Sequence, residues 1–402
     1  MAGPTAGGAG DAAARMIGAV PWDELRDQAR CNAAAVGGGA VPDTATGLAD
    51  LPVTGPDEIF AVSHVVTRQT GGLLLSSGGT TGQPKLTYVA YHQALDRLLR
   101  QWRPLVTGDL LLNLFTPGRL WASHYYMQAL AQRCGADVAP FGPITPEEVD
   151  GWLPTLRRLG VNAVAGTPTA LADLARGVLD AGATTPVQKI IWMAEPWTEE
   201  KVTIVRKAFP QVQLWGNYGS VETYVIATNT PTCDTSVLHL MPDQVLEPDD
   251  DGALLSRVGD GWTVPTVRYR LGDRLAAATC ACGGPDGLRV LGRADDAIKL
   301  HGALVGIGAV LEIVRAAPGV RDAQLQLRRA TGERHSVGAV TVHYTGDADP
   351  AAVRTRLLHQ FYDLGVVAQH HPAAIAVEQV PQLRRVDRTN KIPPMIWLEP
   401  SE

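Results

Sequence analysis

The clearest hydrophobic pattern lies between residues 143 and 220, where short apolar runs alternate with amphipathic stretches. Apolar residues at helical spacing predict a helix within "ITPEEVDGWLPTLRRLG" (144–160), which Thr145 and Glu148 would open as a capping box with Pro146 at the first helical position. The same reasoning predicts strands at 161–166, 189–196 and 212–219 and helices at 169–182 and 198–209. This βαβαβ order predicts a parallel sheet covered by helices.

Three loops follow these predicted strands, namely "AGTP" at 165–168, "AEPW" at 194–197 and "NYGSVE" at 217–222. The carboxyl ends of parallel strands meet at one edge of a sheet, and ligands bind there in such folds. The sequence therefore predicts a ligand-binding crevice to which all three loops contribute.

The pattern changes after about residue 255. "PTVRYRLGDRLAA" (265–277) predicts a strand, a turn and a second strand. Beyond it, helices are predicted near 307–316 and 350–363, and strands near 321–328, 336–344 and 373–380. We expect a flexible Ala/Gly-rich tail at 1–20, a large N-terminal α/β domain at 21–293 and a small α+β domain at 294–402.

Composition and charge limit the classes of partner that the protein is expected to bind. The chain has 402 residues, 45% of them hydrophobic, and a net charge of −6, without any Lys/Arg-rich block. Nucleic acid is therefore not an expected partner. No apolar run reaches the roughly 18 residues that a membrane helix needs, and the N-terminal segment lacks a signal-peptide layout. We expect a cytoplasmic protein without a membrane partner, either monomeric or homodimeric.

The stretch "LSSGGTTGQPKL" (75–86) has the composition of a phosphate-holding loop. Glycine lets the backbone turn sharply and approach a ligand, hydroxyl and backbone N–H groups can surround an anion, and Lys85 supplies a positive charge. Gln83 follows Gly82, so the stretch is not a Walker loop. The alternative is a glycine-rich surface turn.

Five cysteines are too few, and odd in number, for a disulfide framework. Cys233, His239, Cys280 and Cys282 are types of residue that bind zinc, and they predict a structural Zn²⁺ site with four protein ligands. The alternative is that these cysteines are small buried hydrophobic residues. Cys31 and Cys134 are expected in the core.

Five stretches, in this order, resemble the adenylate-forming enzymes, a superfamily that includes acyl-CoA synthetases, peptide-synthetase adenylation domains and luciferases. They are "SSGGTTGQPK" (76–85), "AEPWTE" (194–199), "NYGSVE" (217–222), "YRLGDR" (269–274) and "GRADDAIKLHG" (292–302). A lysine in "RTNKIPP", Lys391, is a sixth point of likeness. The most similar branch is that of the phenylacetate–CoA ligases.

The resemblance implies a large N-terminal domain with helix-covered parallel sheets, joined by a hinge to a small α+β domain. It also implies a reaction in which a carboxylate attacks the α-phosphorus of ATP, with Mg²⁺ bound, and releases pyrophosphate. An acceptor, typically CoA, then displaces AMP from the acyl-adenylate. Such chemistry depends mainly on positioning and charge neutralisation.

The resemblance also assigns roles to individual residues. The β- and γ-phosphates would be held by Ser77, Gly78, Gly79, Thr80, Thr81 and Gly82, with Lys85 nearby. The adenine slot would be formed by Glu195, Pro196, Asn217, Tyr218 and Gly219. Glu222 would hold Mg²⁺, Asp273 the ribose hydroxyls, Arg293 would lie near the nucleotide, Asp295 would be the hinge, and Lys391 would reach the α-phosphate. Lys391, Glu222 and Thr81 are the expected catalytic residues.

Taken singly, each of these residues also has an ordinary structural interpretation. Asp273 could be a turn aspartate, Glu222 a helix cap, Lys391 a solvated lysine and Tyr218 a core aromatic. The presence together of Lys85, Glu222, Asp273 and Lys391 argues against a third hypothesis, a non-catalytic nucleotide-binding protein.

The acid pocket is expected around "LFTPGRLWASHYYMQAL" (114–130), with Trp121, His124, Tyr125 and Gly166 as its residues. Aromatic side chains suit an aryl or aryl-alkenoic acid. His124 could equally be a structural histidine. The expected acceptor is CoA, but "HGALVGIGAVLEIV" (301–314) departs from the branch's usual sequence where the family faces its acceptor. The alternative acceptors are a carrier protein, an amine or another small nucleophile, which would give an amide- or diazo-forming ligase of specialised metabolism.

Overall fold

The computed structural model describes residues 16–37, 41–68, 70–76, 85–249, 251–294, 296–301, 303–329, 337–387 and 389–398. The predicted phosphate-loop residues Ser77 to Gly82 and the predicted hinge residue Asp295 lie outside the described residues. The chain forms two compact units. One comprises Met1–Trp197 and Lys201–Leu291, and the other comprises Thr198–Glu200 and Gly292–Glu402.

Helices and strands alternate along most of the chain up to residue 293. The helices are α1 (Trp22–Val36), α2 (Pro56–Thr67), α3 (Leu95–Leu98), α4 (Ala122–Cys134), α5 (Pro146–Leu159), α6 (Pro168–Asp180) and α7 (Glu199–Ala208), with a 3₁₀ turn at Leu48–Asp50. The first strands are β1 (Ile17–Gly18), β2 (Gly72–Ser76), β3 (Leu86–Ala90), β4 (Leu110–Asn113), β5 (Asp137–Pro140), β6 (Ala163–Gly166), β7 (Lys189–Trp192) and β8 (Gln213–Ser220). They are followed by β9 (Tyr224–Asn229), β10 (Leu238–Leu240), β11 (Gln244–Glu247), β12 (Leu254–Arg257), β13 (Tyr269–Arg270), β14 (Asp273–Ala277) and β15 (Gly287–Arg293).

A nine-stranded sheet organises this unit, with the strand order β14-β15-β10-β9-β8-β7-β6-β4-β5. Strands β5, β4, β6, β7 and β8 pair in parallel, as the βαβαβ pattern predicts, because a helix connects each strand to the next along the chain. Strand β9 then folds back antiparallel to β8. A four-stranded sheet (β1-β11-β12-β13) and a two-stranded sheet (β2-β3) complete the unit.

Local sequence explains where the central helices begin and end. The capping box at α5 forms as predicted, with the Thr145 backbone N–H donating to Glu148 Oε2 at 2.8 Å. The helix continues through Pro154 and ends at Gly160, whose φ of 73° is the left-handed conformation that glycine adopts without strain. Helix α6 begins at the N-cap Thr167, whose side chain accepts from the Ala170 N–H. Both helices bury apolar faces against the central strands.

The second unit is a mixed α/β unit with its own core. Its elements are β16 (Ala297–Leu300), β17 (Ala303–Gly306), α8 (Ile307–Arg315), β18 (Val320–Arg329), β19 (Val337–Gly346), α9 (Pro350–Gln360), α10 (Tyr362–His370), a 3₁₀ turn (Pro372–Ala374), β20 (Ile375–Gln379) and β21 (Met395–Leu398). The strands form one sheet in the order β17-β16-β19-β18-β21, with β20 also paired to β19. The two units together give the predicted α/β fold class.

The structure corrects several sequence-based expectations. The predicted helix at 350–363 is two helices, because Phe361 has extended backbone angles (φ −112°, ψ 91°) that interrupt it. The predicted tail ends earlier than residue 20, since Ile17 is buried and pairs with Leu246 in a strand. Cys134 is buried as expected, but Cys31 is exposed because it lies on the outer side of α1. Among the described residues, no helix is both long and apolar enough to span a bilayer.

Candidate active site

The carboxyl ends of the central strands lie side by side, as the predicted crevice requires. In the sheet, Gly166 of β6 is paired with Trp192 of β7, and Trp192 is paired with Gly216 of β8. A Cβ on Gly216 would come within 2.3 Å of the Trp192 indole, so glycine is needed for the indole to lie over β8. An aromatic surface is thereby built at this edge of the sheet, with Trp197 packing edge-on against Trp192 at a centroid distance of 5.9 Å.

The motif "NYGSVE" begins inside β8 (Gln213–Ser220), in agreement with the strand predicted at 212–219, and ends in the turn that follows. Strand β8 continues to Ser220 because β9 pairs with it antiparallel, with an irregularity between Tyr218 and Gly219. Gly219 is required here, since a Cβ would lie 1.6 Å from the Tyr224 carbonyl oxygen. The connecting turn is fixed by reciprocal hydrogen bonds in which Ser220 N–H donates to Thr223 Oγ1 (3.1 Å) and Thr223 N–H donates to Ser220 Oγ (3.2 Å).

Glu222 lies in this turn with only 4% of its surface exposed. Its Oε1 accepts a hydrogen bond from the Tyr269 hydroxyl at 2.8 Å. Its Oε2 is buried and has no hydrogen-bond partner among the described residues. A buried carboxylate oxygen without a partner is costly. Because carboxylate oxygen is the ligand that hard divalent cations prefer, the arrangement fits a residue that binds Mg²⁺.

Two of the predicted motifs meet through side chains. The Tyr218 hydroxyl, on β8, donates a 2.7 Å hydrogen bond to Oδ2 of Asp273, the first residue of β14. Both residues are half-buried rather than fully buried. A carboxylate has acceptor capacity for several hydrogen bonds, so Asp273 can accept from Tyr218 and from further hydroxyl donors.

The Glu195 side chain is bonded to the start of α6. Glu195 follows β7 in a loop where Ala194 takes a φ of 75°. Its Oε2 accepts from the Thr169 N–H (3.0 Å) and from the Thr169 hydroxyl (2.7 Å). The carboxylate thus lies at the N-terminus of α6, where the unpaired N–H groups and the helix dipole favour negative charge. Such a contact holds the backbone of residues 195–196 at the edge of the crevice.

The expected acid-pocket residues lie at the start of α4. Trp121 and His124 are each 5% exposed, and Tyr125 is half-buried. The His124 Nδ1 is 2.7 Å from the Phe115 carbonyl oxygen, so Nδ1 carries the proton, because a carbonyl can only accept. The Asn113 side chain donates to the His124 carbonyl oxygen at 3.1 Å. His124 thus ties α4 to the segment after β4, and its place in the acid pocket stays a prediction.

Asn217 also contacts this helix. Its side-chain N–H group is 3.4 Å from the hydroxyl of Tyr126, a buried residue on α4. Burial raises the pKa of the Tyr126 phenol well above its usual range, so the hydroxyl stays neutral. The contact links β8 to the wall of the expected acid pocket.

Sequence reasoning missed a buried cation behind the Glu222 turn. Arg257 is fully buried, donates from Nη1 to the Thr223 carbonyl oxygen (2.9 Å) and stacks 4.3 Å from the centre of the Trp262 ring. Its Nε and Nη2 have no partner among the described residues. Burial and the nearby Arg97 lower the pKa of Arg257 to about 9. A charged residue within the apolar stretch "ALLSRV" (253–258) is the signal that could have found it.

The second unit contains the two remaining predicted site residues. Lys391 is half-buried in the loop between β20 and β21, where its carbonyl oxygen accepts from the Val386 N–H at 2.9 Å. Arg293 ends β15, and its N–H donates to Asp296 Oδ2 at 3.0 Å. Lys85, in the first unit, lies half-buried immediately before β3.

The four predicted zinc ligands converge. The ligand atoms of Cys233, His239, Cys280 and Cys282 all lie within 4.8 Å of one another. The Cys282 Sγ is 3.6 Å from Cys233 Sγ and 3.2 Å from His239 Nε2. Zn–S bonds of about 2.3 Å place the ligand atoms of a tetrahedron roughly 3.5–3.8 Å apart, so these distances are close to those of a zinc site.

The surroundings of the cluster also suit a metal. His239 Nδ1 is 2.6 Å from the Pro285 carbonyl oxygen, which directs Nε2 toward the sulfurs. Partial burial disfavours the Cys280 thiolate, but hydrogen bonds from the Cys282 backbone, from His239 and from the Asp234 backbone lower the pKa of Cys280 to about 6. The donor set of three sulfurs and one nitrogen is typical of structural zinc.

Comparison with known proteins identifies the family. The model of the AMP-binding enzyme family matches residues 71–287, which is more than half of the chain. The chain belongs to the AMP-binding enzymes. The match includes β2 through the start of β15, and so contains Glu195, Tyr218, Glu222 and Asp273.

Relatives of this AMP-binding enzyme form different products. Indoleacetate–lysine synthetase of Pseudomonas savastanoi is 26% identical over 274 residues, covering 66% of this chain and 68% of that protein. A 2-hydroxyisobutyryl-CoA ligase in its postadenylation state superposes with a TM-score of 0.64 at 15% identity, covering 93% of this chain and 86% of the ligase. The amide bond synthetase McbA from Marinactinospora thermotolerans gives a TM-score of 0.55 at 18% identity, and the match covers 78% of this chain and 66% of the synthetase.

These matches establish the fold and the general reaction. The AMP-binding enzyme is an adenylate-forming ligase, and its family uses ATP and Mg²⁺. The solved structures are below 25% identity and show the fold alone. Because they include both a CoA ligase and an amide bond synthetase, the fold is compatible with more than one acyl acceptor.

Proposed function

We propose that this enzyme activates an aromatic carboxylic acid as its acyl-adenylate and transfers the acyl group to an amine, forming an amide. The observation that carries the adenylation step is Glu222, whose buried Oε2 lacks a partner among the described residues while Oε1 is held by Tyr269. A carboxylate kept in this state within a family that uses Mg²⁺ and ATP is best explained as a metal ligand.

In the first step, a carboxylate oxygen of the acid attacks the α-phosphorus of ATP and the bond to the bridging oxygen breaks, so pyrophosphate leaves. Bound Mg²⁺ would neutralise charge on the phosphates, with Glu222 as its protein ligand. Asp273, oriented by the Tyr218 hydroxyl, would accept hydrogen bonds from the ribose. Lys391 would place its positive charge beside the α-phosphate, where negative charge develops.

In the second step, the amine nitrogen attacks the acyl carbon, the bond from that carbon to the phosphate oxygen breaks, and AMP leaves. The nitrogen loses a proton as the amide forms. Two observations favour an amine. The curated relative is named for joining indoleacetate to lysine, and residues 301–314 depart from the sequence that the resembled CoA-ligase branch uses there.

CoA is the second candidate acceptor, favoured by the order of motifs that this chain shares with the phenylacetate–CoA ligases. A carrier-protein thiol would follow the same chemistry as CoA. Both alternatives keep the adenylation step and differ only in the nucleophile that displaces AMP.

We propose an aromatic acid because several residues around the strand ends have aromatic side chains. Trp192 lies over Gly216, Trp197 packs against Trp192, and Trp121 and Tyr125 lie at the start of α4. Aromatic contacts bury a large area per residue, so an aryl ring gains most from such walls. We count Gly166 among these walls because β6 ends there beside Trp192.

We also propose that Cys233, His239, Cys280 and Cys282 bind one structural Zn²⁺. The cluster supplies four ligand atoms and leaves no open position, so the metal would join the loop after β9 and strand β10 to the loop between β14 and β15 and would take no part in catalysis.

The test is pyrophosphate release from ATP and Mg²⁺ with a panel of aryl carboxylic acids that includes indole-3-acetate. Each acid is assayed alone, with CoA, and with lysine and other primary amines, and the products are identified by mass spectrometry. We expect acid-dependent pyrophosphate release and an amide product. Thioester formation without amide would replace the amine by CoA, and silence with every aryl acid would contradict the proposed acid class.

A further inference from the structure

One buried polar residue of the second unit is not explained by packing. Gln324 is fully buried on β18, next to Ala323 and Leu325, which are also fully buried. A glutamine amide in such surroundings is costly unless its donors and acceptor are all used. The partners that it uses therefore indicate why it is there.

The partners of Gln324 lie at the two ends of one loop. Its Nε2 donates to the carbonyl oxygen of Arg384 at 2.9 Å and to that of Pro393 at 2.8 Å. Its Oε1 accepts from the Arg384 N–H at 3.1 Å. The residue next to it, Leu325, donates from its N–H to the Pro394 carbonyl oxygen at 2.9 Å. One side chain thus closes the segment 384–393.

Lys391 lies inside the segment that Gln324 closes. Within it, Val386 N–H donates to the Lys391 carbonyl oxygen (2.9 Å), and Asn390 N–H donates to the Val386 carbonyl oxygen (2.7 Å). Asn390 takes a φ of 55°, a turn conformation that asparagine tolerates better than most residues. The backbone of Lys391 is therefore fixed to Val386, and the ends of the segment are fixed to Gln324.

We propose that Gln324 is the positioning residue for Lys391, holding the loop in the conformation from which the lysine acts in adenylation. This inference rests on the proposed function, because it takes the role of Lys391 from it. A lysine on a long flexible side chain contributes fully only when its backbone is fixed, and a displacement of about 1 Å can cost roughly 10²-fold in rate.

The test uses Gln324→Met, which keeps the size of the side chain and removes its amide. The matched control is Gln326→Met on the same face of β18, because the Gln326 amide contacts the His343 ring at 2.9 Å and not the loop. We expect hydrogen exchange of the backbone amides in 384–393 to accelerate in Gln324→Met only. We expect its kcat for acid-dependent pyrophosphate release to fall about 10- to 100-fold, with the KM for ATP unchanged.

A double-variant comparison separates positioning from general loss of structure. Lys391→Ala alone should slow pyrophosphate release, and adding Gln324→Met should slow it no further, since the loop then has no lysine to position. A further decrease in the double variant would show that Gln324 acts by another route. Should Gln324→Met fold poorly, Gln324→Asn, whose amide is one methylene shorter, serves the same comparison.

The outcomes distinguish this inference from the proposed function. Unchanged exchange in 384–393, or unchanged kcat in the Gln324 variants while Lys391→Ala is slow, would overturn the positioning role alone. Normal pyrophosphate release by Lys391→Ala would overturn the assigned role of Lys391 in the proposed function, and the positioning role would be lost with it.

Discussion

The first unit contains two candidate metal sites, the crevice around Glu222 and the cluster of three cysteines and His239. They differ in how many ligand atoms the protein supplies. In the crevice, Tyr269 holds one oxygen of the Glu222 carboxylate, and the other oxygen has no protein partner among the described residues. In the cluster, four ligand atoms lie within 4.8 Å and are directed at one another.

The difference indicates two kinds of site. A single carboxylate oxygen without a protein partner suits a reaction centre, because it could bind Mg²⁺ and leave the remaining coordination positions to substrate phosphates and water. A complete set of four sulfur and nitrogen ligands is what a structural zinc site has. Changes in the crevice should therefore affect activity more than stability, and changes in the cluster should affect stability more than activity.

The largest effect is expected for Glu222→Gln. The amide oxygen can still accept from Tyr269, so the fold should persist, but the negative charge of the proposed metal ligand is lost. We expect acid-dependent pyrophosphate release to fall by about 10²–10³-fold, as for other charge-stabilising groups in active sites, and to require more Mg²⁺. A Mg²⁺ titration of the rate, with the thermal midpoint measured alongside, checks both parts.

Glu247→Gln is the control for this variant, because Glu247 is a partly buried carboxylate that pairs with Arg268 at 3.0 Å, on the four-stranded sheet. It should change stability without changing the Mg²⁺ requirement. If Glu222→Gln has a normal rate and a normal Mg²⁺ requirement, Glu222 is not a metal ligand and the two sites do not differ as proposed.

A smaller effect is expected for Tyr218→Phe. The ring stays in place and the 2.7 Å hydrogen bond to Asp273 is lost. A hydrogen bond to a charged group is worth about 1.5–3 kcal/mol, so the KM for ATP should rise roughly 10- to 100-fold while kcat changes little. Steady-state kinetics with varied ATP give the two constants separately, and Tyr88→Phe, in the two-stranded sheet, is the matched control. A fall in kcat at constant KM would assign Tyr218 to the chemical step instead.

Local signals explain which elements the sequence could predict. The capping box of α5 and the apolar strand β6 are encoded in neighbouring residues and form where predicted, and β7 begins where predicted but ends at Trp192 rather than at Pro196. The strand predicted at 212–219 agrees with β8 to within one residue at each end, but its antiparallel pairing with β9 is not visible in the local sequence. The boundary between α9 and α10 is also not visible there, because the two helices look like one until the extended Phe361 separates them.

The features of the site that could not be predicted from the sequence depend on contacts between residues far apart in the chain. The Cys and His spacing predicts the cluster, whose ligand atoms do converge. The partner of Glu222, Tyr269, is 47 residues away in the chain, and Gln324 is 60 residues from Arg384. No periodicity connects such pairs, because they are brought together by the packing of elements that are distant in the chain. The contact of His124 with Phe115 gives this histidine a structural partner, and its place in the acid pocket stays a prediction.

The smallest effect on activity is expected from the cysteine cluster. We expect one zinc per chain by elemental analysis of the purified enzyme, and Cys280→Ser to lose it. Because a structural metal stabilises only the folded state, its removal should lower the thermal midpoint by several degrees and leave the rate of pyrophosphate release below that midpoint within about twofold of normal. Cys31→Ser, an exposed cysteine outside the cluster, should change neither quantity. Full zinc content in Cys280→Ser would exclude Cys280 as a ligand. Loss of activity that parallels loss of zinc, at temperatures where the chain stays folded, would instead give the metal a role in the reaction. The proposed difference between the Glu222 crevice and the cysteine cluster would then be wrong.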